Sequence, residues 1–349
     1  MSDNFLYPGK AEKALDKQLF LAPPSEYRGA PFWSWNTKLN VHETVRQTSV
    51  FKEMGFGGYH AHVRSGLDTP YLSEEFNENI RASAEEARKQ GMFLYLYDED
   101  RWPSGAAGGL VTKDLRLSAR YLNFTVRRVN DKPLLDSDGK LLKGSKLLAR
   151  YVVRTFGGKL LSYRRLSDGK KAAGVIWYAY LTTEKPRCFL NNSPYLDTLN
   201  KEAVDKFAEI TYGEYKKTVG EFFGKEIKSI FTDEPQYHRF NIPYFPLPYF
   251  NKKRPWTDDF DTTFEREYGY SLLNKLPELF WKTGEVSLTR YHYYNHLSER
   301  FAQGFCDNLG KRCGDMGIAL TGHLMEEPTL RSQTQATGDA MRQYRGFQI

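Results

Sequence analysis

The stretch YLYDEDRWPSGAAGG, residues 95–109, places three consecutive carboxylates directly after a run of bulky residues. The run MFLYLYDED at 92–100 predicts a buried β-strand, because a short apolar and aromatic segment bounded by polar and glycine residues is typical of strands. An arginine, an indole and two glycine breaks follow, which indicates a turn rather than a helix. The strand is therefore expected to end in a loop that carries acidic and aromatic side chains.

Strands and helices alternate on both sides of this strand. Asn40 and Ser73 have the pattern of N-caps of helices that end at Gly55 and Gly91, and further amphipathic helices are predicted before residue 223 and over about 285–314. The other segments that predict strands are APFWSWN at 30–36, GGYHAHVR at 57–64, PYLDTLN at 194–200, IKSIFTDEP at 227–235 and GIALTGHLMEEP at 317–328. The pattern amounts to about six strand-plus-helix units.

Polar residues follow each of these strands, and their distribution favours one of two arrangements of parallel strands. A (β/α)8 barrel of the TIM type collects all carboxyl ends at one rim, whereas an open doubly wound sheet concentrates its ligands at a switch point. No GxGxxG or GxxxxGK[ST] motif follows a strand, which disfavours nucleotide binding. We predict an α/β fold of (β/α)8 type, incomplete with about six strands, over residues 28–349 after an N-terminal segment at 1–27.

Residues 118–190 differ in composition from the rest of the chain. They carry sixteen Lys and Arg against five Asp and Glu, a net charge of +11 in a chain whose net charge is +7. Short β-type runs are separated by SDGK at 137–140 and at 167–170, and Asp-Gly between such runs predicts hairpins. We expect a small antiparallel insert within the barrel. It has no stacking motif or phosphate loop, so no nucleic-acid partner is predicted, and binding of an acidic polymer is an alternative function.

The sequence also predicts where in the cell the protein is found and the redox state of its cysteines. The first twenty residues lack a basic start followed by an apolar run, and no segment approaches the roughly 20 apolar residues that span a bilayer. The sequence as written predicts a cytoplasmic protein without a membrane partner. Cys188, Cys306 and Cys313 show neither metal-ligand nor disulfide spacing, so we expect reduced cysteines in the core.

The residues at the strand ends are of the types that bind sugars. Aromatic faces stack on the apolar side of a pyranose ring, while carboxylates bind hydroxyls and perform acid–base chemistry. Trp35 and Trp102 are the predicted platforms. The other predicted substrate-binding residues are Asn36, His60, His62, Arg64, Asp98, Glu99, Asp100, Asp197, Asp233 and His323. His60 and His62 share one face of their strand, but no third ligand has the spacing of a zinc site.

Glu234, at the end of FTDEP, is the predicted general acid. Its position between Phe231 and Pro235, with Asp233 adjacent, is expected to raise its pKa so that it is protonated near neutrality. The alternative is a salt-bridged strand terminus. Glu327 is the predicted base and Glu326 the second candidate, although Glu-Glu-Pro could simply open a loop and the base could lie beyond residue 349.

Five motifs, in this order and at these spacings, resemble the N-terminal catalytic region of glycoside hydrolase family 106, the α-L-rhamnosidase-type enzymes. They are APFWSWN, GGYHAHVRSGLDTPYLSEEF, YLYDEDRWPSGAAGG, FTDEPQ and TGHLMEEP. The resemblance begins at about residue 28 and is weakest in the basic insert. It implies a (β/α)8 barrel that hydrolyses α-L-rhamnosides with inversion, a calcium ion near the sugar, and β-rich domains further along such chains.

Calcium prefers oxygen ligands, so Asp98, Glu99 and Asp100 are the predicted ligands of such an ion. The loop NIPYFPLPYF at 241–250 is predicted to be a lid over a sugar subsite, or else a rigid cover over the helices of the barrel. A carbohydrate-binding protein without catalytic activity is the alternative to a hydrolase.

Overall fold

Two five-stranded sheets organise the computed structural model, which describes residues 14, 16–170, 172–238, 252–284 and 286–349. The parallel sheet has the order β1 (Phe32–Trp35), β2 (Gly58–Val63), β3 (Phe93–Tyr97), β10 (Ser229–Asp233) and β12 (Ala319–His323). The antiparallel sheet has the order β11 (Lys252–Trp256), β4 (Arg120–Thr125), β9 (Ile176–Thr183), β7 (Ser145–Phe156) and β8 (Lys159–Leu166). A separate hairpin joins β5 (Leu134–Leu135) to β6 (Leu141–Lys143).

Helices connect the strands where the sequence predicts them. The Asn40 side chain accepts a hydrogen bond from the backbone N–H of Glu43, and the Ser73 side chain accepts one from that of Phe76. The helices are α1 (Lys17–Leu21), α2 (Val41–Glu53), α3 (Glu74–Gln90), α4 (Lys201–Val219), α5 (Phe260–Tyr268), α6 (Leu272–Lys275), α7 (Leu288–Phe301), α8 (Asp307–Met316), α9 (Leu330–Ala336) and α10 (Ala340–Tyr344). A π-helical segment, Ala302–Cys306, joins α7 to α8. No helix within the described ranges is long and apolar enough to cross a membrane.

The parallel sheet is curled. Its strands follow one another in chain order, and α2, α3, α4 and α8 pack in succession along one face. On the other face the rings of Phe32 in β1 and Phe231 in β10 lie 5.0 Å apart. These strands are three spacings apart, about 14 Å on a flat sheet. Contact between the two rings therefore requires that this face be concave.

The described parallel sheet has five strands, not the predicted six or so, because PYLDTLN at 194–200 is not a strand. Its backbone pairs with the segment just before β4 instead: the N–H of Ala119 donates to the Tyr195 carbonyl at 2.7 Å, and that of Asp197 to the Leu117 carbonyl at 2.8 Å. This contact joins the start of the insert to the segment that leads into α4.

The antiparallel insert is present, but one predicted hairpin is wrong. SDGK at 137–140 does join the paired strands β5 and β6. SDGK at 167–170 joins β8 to β9, and β7 lies between these two strands. The β7–β8 turn falls at Gly157–Gly158, inside a run that contains no Asp-Gly. The sheet also takes β11 from outside residues 118–190, so it extends beyond the predicted insert.

The three cysteines are free, and their burial was predicted only in part. Cys306 and Cys313 are buried between helices, as expected for core cysteines, whereas Cys188 is exposed.

Candidate active site

Four strand ends meet on the concave face of the parallel sheet, around Asp233. The Tyr97 hydroxyl donates to Oδ2 of Asp233 at 2.7 Å, and His323 Nε2 lies 2.8 Å from Oδ1. His62 Nε2 is 3.8 Å from Oδ2, too far for a direct hydrogen bond. Each side chain comes from a different strand, so the curl of the sheet brings them together.

The charges of this cluster follow from its contacts. Burial alone would raise the pKa of Asp233, but hydrogen bonding to His323 and Tyr97 and the nearby His62 imidazole outweigh it, and the pKa is lowered. The hydrogen bond to Asp233 in turn raises the pKa of His323. Asp233 is thus a carboxylate that holds a readily protonated His323.

His60 lies deeper on the same face. Its ring stacks on Tyr95 with centroids 4.7 Å apart and contacts Phe32 at 4.6 Å. Burial lowers the pKa of His60 to about 4, so it is neutral near pH 7. It forms part of the floor beneath the cluster rather than its charged rim.

Glu234 follows Asp233 and has a left-handed backbone, with φ of 48°. Its carboxylate accepts a hydrogen bond from the indole N–H of Trp102, and its Oε1 lies 3.9 Å from His323 Nε2. The side chain is 29% exposed, so it does not occupy the predicted apolar enclosure between Phe231 and Pro235. Trp102 is 41% exposed, as a sugar platform requires.

The loop after β3 is organised around Glu99. Both oxygens of its carboxylate are taken by five backbone N–H groups, at 2.6–2.9 Å, from Asp100, Gly105, Ala106, Ala107 and Gly108. Burial raises the pKa of Glu99, but all five partners are donors, and a protonated carboxyl would leave one of them without an acceptor. We therefore assign Glu99 as a carboxylate that folds this loop.

Asp98 and Ser104 attach the same loop to the parallel sheet. Asp98 accepts hydrogen bonds from the Ser104 hydroxyl at 2.5 Å and the Tyr212 hydroxyl at 2.8 Å, and burial raises its pKa to about 7. The Ser104 N–H donates to the Asp233 carbonyl at 2.8 Å, and the Asp233 N–H donates to Ser104 Oγ at 2.7 Å. The end of β10 is thus paired to the loop that carries Trp102.

Gly105 is required for this turn. Its φ is +132°, and a Cβ there would lie 2.3 Å from a methyl group of Leu196. Neither the conformation nor the space admits a side chain.

The predicted calcium ligands do not fit an ion. The oxygens of Asp98 and Glu99 point at protein hydroxyl and N–H donors, whereas a cation needs acceptor oxygens that converge on open space. Asp100 accepts from the Asn191 side-chain amide at 2.7 Å, and its Oδ2 lies 3.6 Å from Arg101 Nε. Across the described ranges, no group of three or more His, Cys, Asp or Glu could hold a metal ion.

Two predicted substrate-binding residues are structural. Trp35 is 2% exposed and packs edge-on against Phe76 of α3, on the helix side of the sheet, so it is not a sugar platform. Asp197 is buried before α4, where it accepts from the Thr257 hydroxyl at 2.5 Å and from the Leu199 N–H at 3.1 Å. Asn36 and Arg64 are exposed just beyond the carboxyl ends of β1 and β2.

Glu327 has contacts that stabilise its own loop. Its Oε1 accepts from the Leu324 N–H at 3.1 Å and from the Tyr344 hydroxyl. Glu326 has a left-handed backbone, with φ of 63°. The negative charge of Glu327 is among the causes that raise the pKa of His323, so this carboxylate acts on the Asp233 cluster through space. The predicted lid at 241–250 lies outside the described residues.

Tyr97 and Phe32 were not predicted as site residues. The sequence did contain a signal for Tyr97. It follows Tyr95 at a spacing of two, and side chains two residues apart on a strand lie on the same face of the sheet. Phe32 is 49% exposed although it lies inside a strand, and only the curled sheet shows that it borders the cluster.

Comparisons with known proteins bear on the fold. No family model matches the sequence, and no curated protein matches it. The fold is similar to that of the rhamnosidase from Novosphingobium sp. PP1Y, with a TM-score of 0.61 at 13% sequence identity. The alignment covers 95% of this chain and 48% of that protein, so the chain spans about half its length. The chain therefore has a rhamnosidase-like fold.

Proposed function

We propose that the concave face binds a 6-deoxyhexose and that the chain is the part of an inverting α-L-rhamnoside hydrolase that supplies its general acid. The exposed indole of Trp102 hydrogen-bonded to Glu234, beside the Asp233–His323 pair, carries this proposal. A stacking surface, a carboxylate and an imidazole in one concavity are the groups that bind and protonate a glycoside. The rhamnosidase-like fold supports the same class.

Phe32 and Phe231 support a deoxysugar as the substrate. Their rings form an apolar surface beside the polar cluster, and Phe32 is 49% exposed. A methyl group at C6 gains from burial against such rings, whereas a hydroxymethyl group there would lose hydrogen bonds to water.

In the proposed reaction, Glu234 protonates the glycosidic oxygen as the bond to the anomeric carbon breaks. His323, held by Asp233, lies with Nε2 3.9 Å from Oε1 of Glu234, so its imidazolium form would stabilise the Glu234 carboxylate that remains after the proton is donated. Inversion also needs a second carboxylate to deprotonate water on the opposite face of the sugar. Glu327 and Glu326 are the candidates within this chain.

The sequential order of the parallel strands supports a further proposal, that the curled sheet belongs to a (β/α)8 barrel. In a doubly wound sheet the order reverses and helices cover both faces. Here each strand adds to the same edge, and the face that bears the cluster is concave.

A carbohydrate-binding function without hydrolysis is the second candidate. It is favoured by the contacts of Glu327, whose carboxylate oxygen already accepts from Leu324 and Tyr344. Both contacts engage Oε1 and tie the carboxylate to its own loop, so only Oε2 could deprotonate water.

Titration with L-rhamnose, followed by tryptophan fluorescence and calorimetry, tests the binding function. Release of 4-nitrophenol from the α-L-rhamnoside tests hydrolysis. Saturable binding that Glu234→Gln retains, with turnover that it abolishes, supports the hydrolase. Binding without turnover supports the second candidate. Tighter binding of L-mannose, which carries the C6 hydroxyl, would contradict the deoxysugar proposal.

A further inference from the structure

The antiparallel sheet concentrates positive charge. Its five strands contain ten Lys and Arg and no Asp or Glu, in the sequences RYLNFT, SKLLARYVVRTF, KLLSYRRL, IWYAYLTT and KKRPW. A structural sheet of this size normally mixes both signs of charge across neighbouring strands, because opposite charges stabilise the pairing and like charges weaken it.

The two faces of this sheet differ. One face packs on the helices: the Tyr151 hydroxyl donates to the Leu273 carbonyl at 2.6 Å, and the Phe124 ring stacks on Phe280. We define the opposite side as the outer face. Arg150 and Arg154 of β7 alternate with Tyr151 and Val153, so they lie on the outer face.

Arg154 and Arg164 are diagonal neighbours on the outer face. Arg154 is opposite Ser162 in the β7–β8 ladder, and Arg164 is two residues further along β8, opposite Val152. Both are exposed, and neither forms an ion pair with a carboxylate of the described residues. Two adjacent, uncompensated guanidinium groups favour the approach of an anion.

The acidic groups near this sheet contact residues other than Arg154 and Arg164. Asp131 is near Tyr121 of β4, and Glu184 pairs with Arg187 just after β9. Asp168 lies in the turn after β8, next to Ser167, whose carbonyl accepts from Arg150. Arg150 is therefore less available to a ligand than Arg154 and Arg164.

The other edge of the sheet adjoins the candidate active site. His238, four residues after Glu234, stacks on Tyr121 of β4 with centroids 4.4 Å apart. The same tyrosine ring contacts Lys253 of β11, whose Nζ lies 4.4 Å from the centroid of the ring.

On the outer face, Tyr178 and Tyr180 of β9 are buried beneath the segment that follows β4, where the Arg128 guanidinium and the Val129 N–H donate to their hydroxyls. The open part of the outer face therefore lies at β7 and β8.

We propose that the outer face, centred on Arg154 and Arg164, binds the carboxylates of an acidic polysaccharide. The ligand class is a polymer of uronic acids, whose regularly spaced carboxylates match guanidinium groups in bidentate pairs. Phe156, 79% exposed at the end of β7, offers a ring on which a pyranose can stack. The choice of a polysaccharide over a nucleic acid rests on the proposed carbohydrate function.

Affinity electrophoresis and calorimetry with polygalacturonate test the surface, and fully methyl-esterified polygalacturonate is the uncharged match. We expect binding to the acid form only, weakening steeply with added salt. The double variant R154Q/R164Q should bind about tenfold more weakly at low ionic strength, because two exposed charge pairs are lost.

The double variant R46Q/R116Q is the matched control. It removes the same charge from exposed arginines that pair with Glu43 and Asp114 outside the antiparallel sheet. Unchanged binding by this control supports the proposal. Equal loss in both double variants, equal binding of the esterified polymer, or no binding at low ionic strength would each overturn it.

Two further comparisons separate this proposal from its alternatives. Duplex DNA that binds more tightly than polygalacturonate at the same salt concentration would replace the polysaccharide with a nucleic acid. In the unmodified protein, polymer binding without L-rhamnose binding would refute the proposed function alone. L-rhamnose binding without polymer binding would refute the surface alone.

Discussion

The indole N–H of Trp102 donates a hydrogen bond to the carboxylate of Glu234, joining the loop after β3 to the end of β10. Trp102 reaches this position because Glu99 folds its loop and Ser104 pairs with the Asp233 backbone. A sugar that contacts Glu234 must contact or displace the indole, so the fluorescence of Trp102 is expected to report occupancy of the site.

Replacing Trp102 should weaken sugar binding in two steps. Trp102→Phe keeps a stacking ring but loses the N–H, and we expect about threefold to tenfold weaker L-rhamnose binding; Trp102→Ala should lose roughly another tenfold, because the ring face is gone. Calorimetry measures both. Trp281→Phe, in the core against the antiparallel sheet, is the control and should leave affinity unchanged. Unchanged affinity in Trp102→Ala would remove the indole from the site.

Glu234→Gln should affect turnover and not binding. Loss of a general acid costs about 10²–10⁴-fold in rate, and Gln retains the acceptor for the Trp102 indole. The loss should shrink for rhamnosides with an acidic phenol as leaving group, because such a group departs without a proton. Steady-state kinetics on a series of phenyl rhamnosides measures this. An equal loss across the series would exclude Glu234 as the acid.

The Asp233–His323 pair should make stability depend on pH in a defined direction. The hydrogen bond to Asp233 raises the pKa of His323 above 6.5 in the folded state. The pair therefore contributes its full stability below the unfolded pKa and loses it as pH rises through the folded pKa. Asp233→Asn should destabilise the protein more at about pH 5.5 than at about pH 8.5.

NMR titration of the histidines checks this assignment directly. The pKa of His323 should fall toward 6.5 in Asp233→Asn. His296, whose pKa burial lowers to about 4, lies against α5 and serves as the internal reference that should not change. A His323 pKa that is the same in both proteins would show that Asp233 does not hold the imidazolium.

Local chemistry explains which parts of the fold the sequence predicts. The caps at Asn40 and Ser73 and the apolar runs of β1, β2 and β3 are determined by nearby residues, and the structure confirms them. PYLDTLN resembles a strand locally, but its backbone partners lie near residue 118, and that pairing is set by the path of the insert. The hairpin predicted at the second SDGK, residues 167–170, is wrong for the same reason. This turn connects β8 to β9, and β7 lies between those two strands.

The site residues likewise divide into features that nearby residues determine and features that depend on distant parts of the chain. Alternation indicates that Trp33 and Trp35 share a face, but not that this face meets α2 and α3. Three acids after β3 suggest ligands, whereas the conformation of the loop turns Glu99 toward five N–H groups of its own backbone. Clustering of Asp233 with His323 was predictable from parallel strand ends, and its hydrogen bond to Tyr97 required the register of β3 and β10.

Glu99→Gln should destabilise the protein although it is isosteric. Gln offers one acceptor oxygen and turns an amide N–H toward backbone donors, so at least two N–H groups lose their acceptor. We expect a loss of about 2–4 kcal/mol in the free energy of unfolding, measured by urea denaturation.

Glu86→Gln, a second buried glutamate, is the control for this substitution. Glu86 accepts a hydrogen bond from the Gln90 side chain on α3, which a glutamine can also accept, so the cost should stay below about 1 kcal/mol. If both variants lose the same stability, Glu99 has no special role in folding the loop.

Trp35 and Phe32, three residues apart on one strand, should separate stability from sugar binding. Trp35→Ala removes a buried indole between the sheet and α3, and should cost about 3–5 kcal/mol of unfolding free energy while the surviving folded protein binds L-rhamnose normally. Phe32 is 49% exposed on the concave face, so Phe32→Ala should cost about 1 kcal/mol or less. It should nevertheless weaken L-rhamnose binding, because the methyl group of the sugar loses its apolar contact. Chemical denaturation and calorimetry on the same samples give both quantities. The opposite pattern, weak binding in Trp35→Ala at full stability, would restore Trp35 as the platform and place the sugar on the helix side of the sheet.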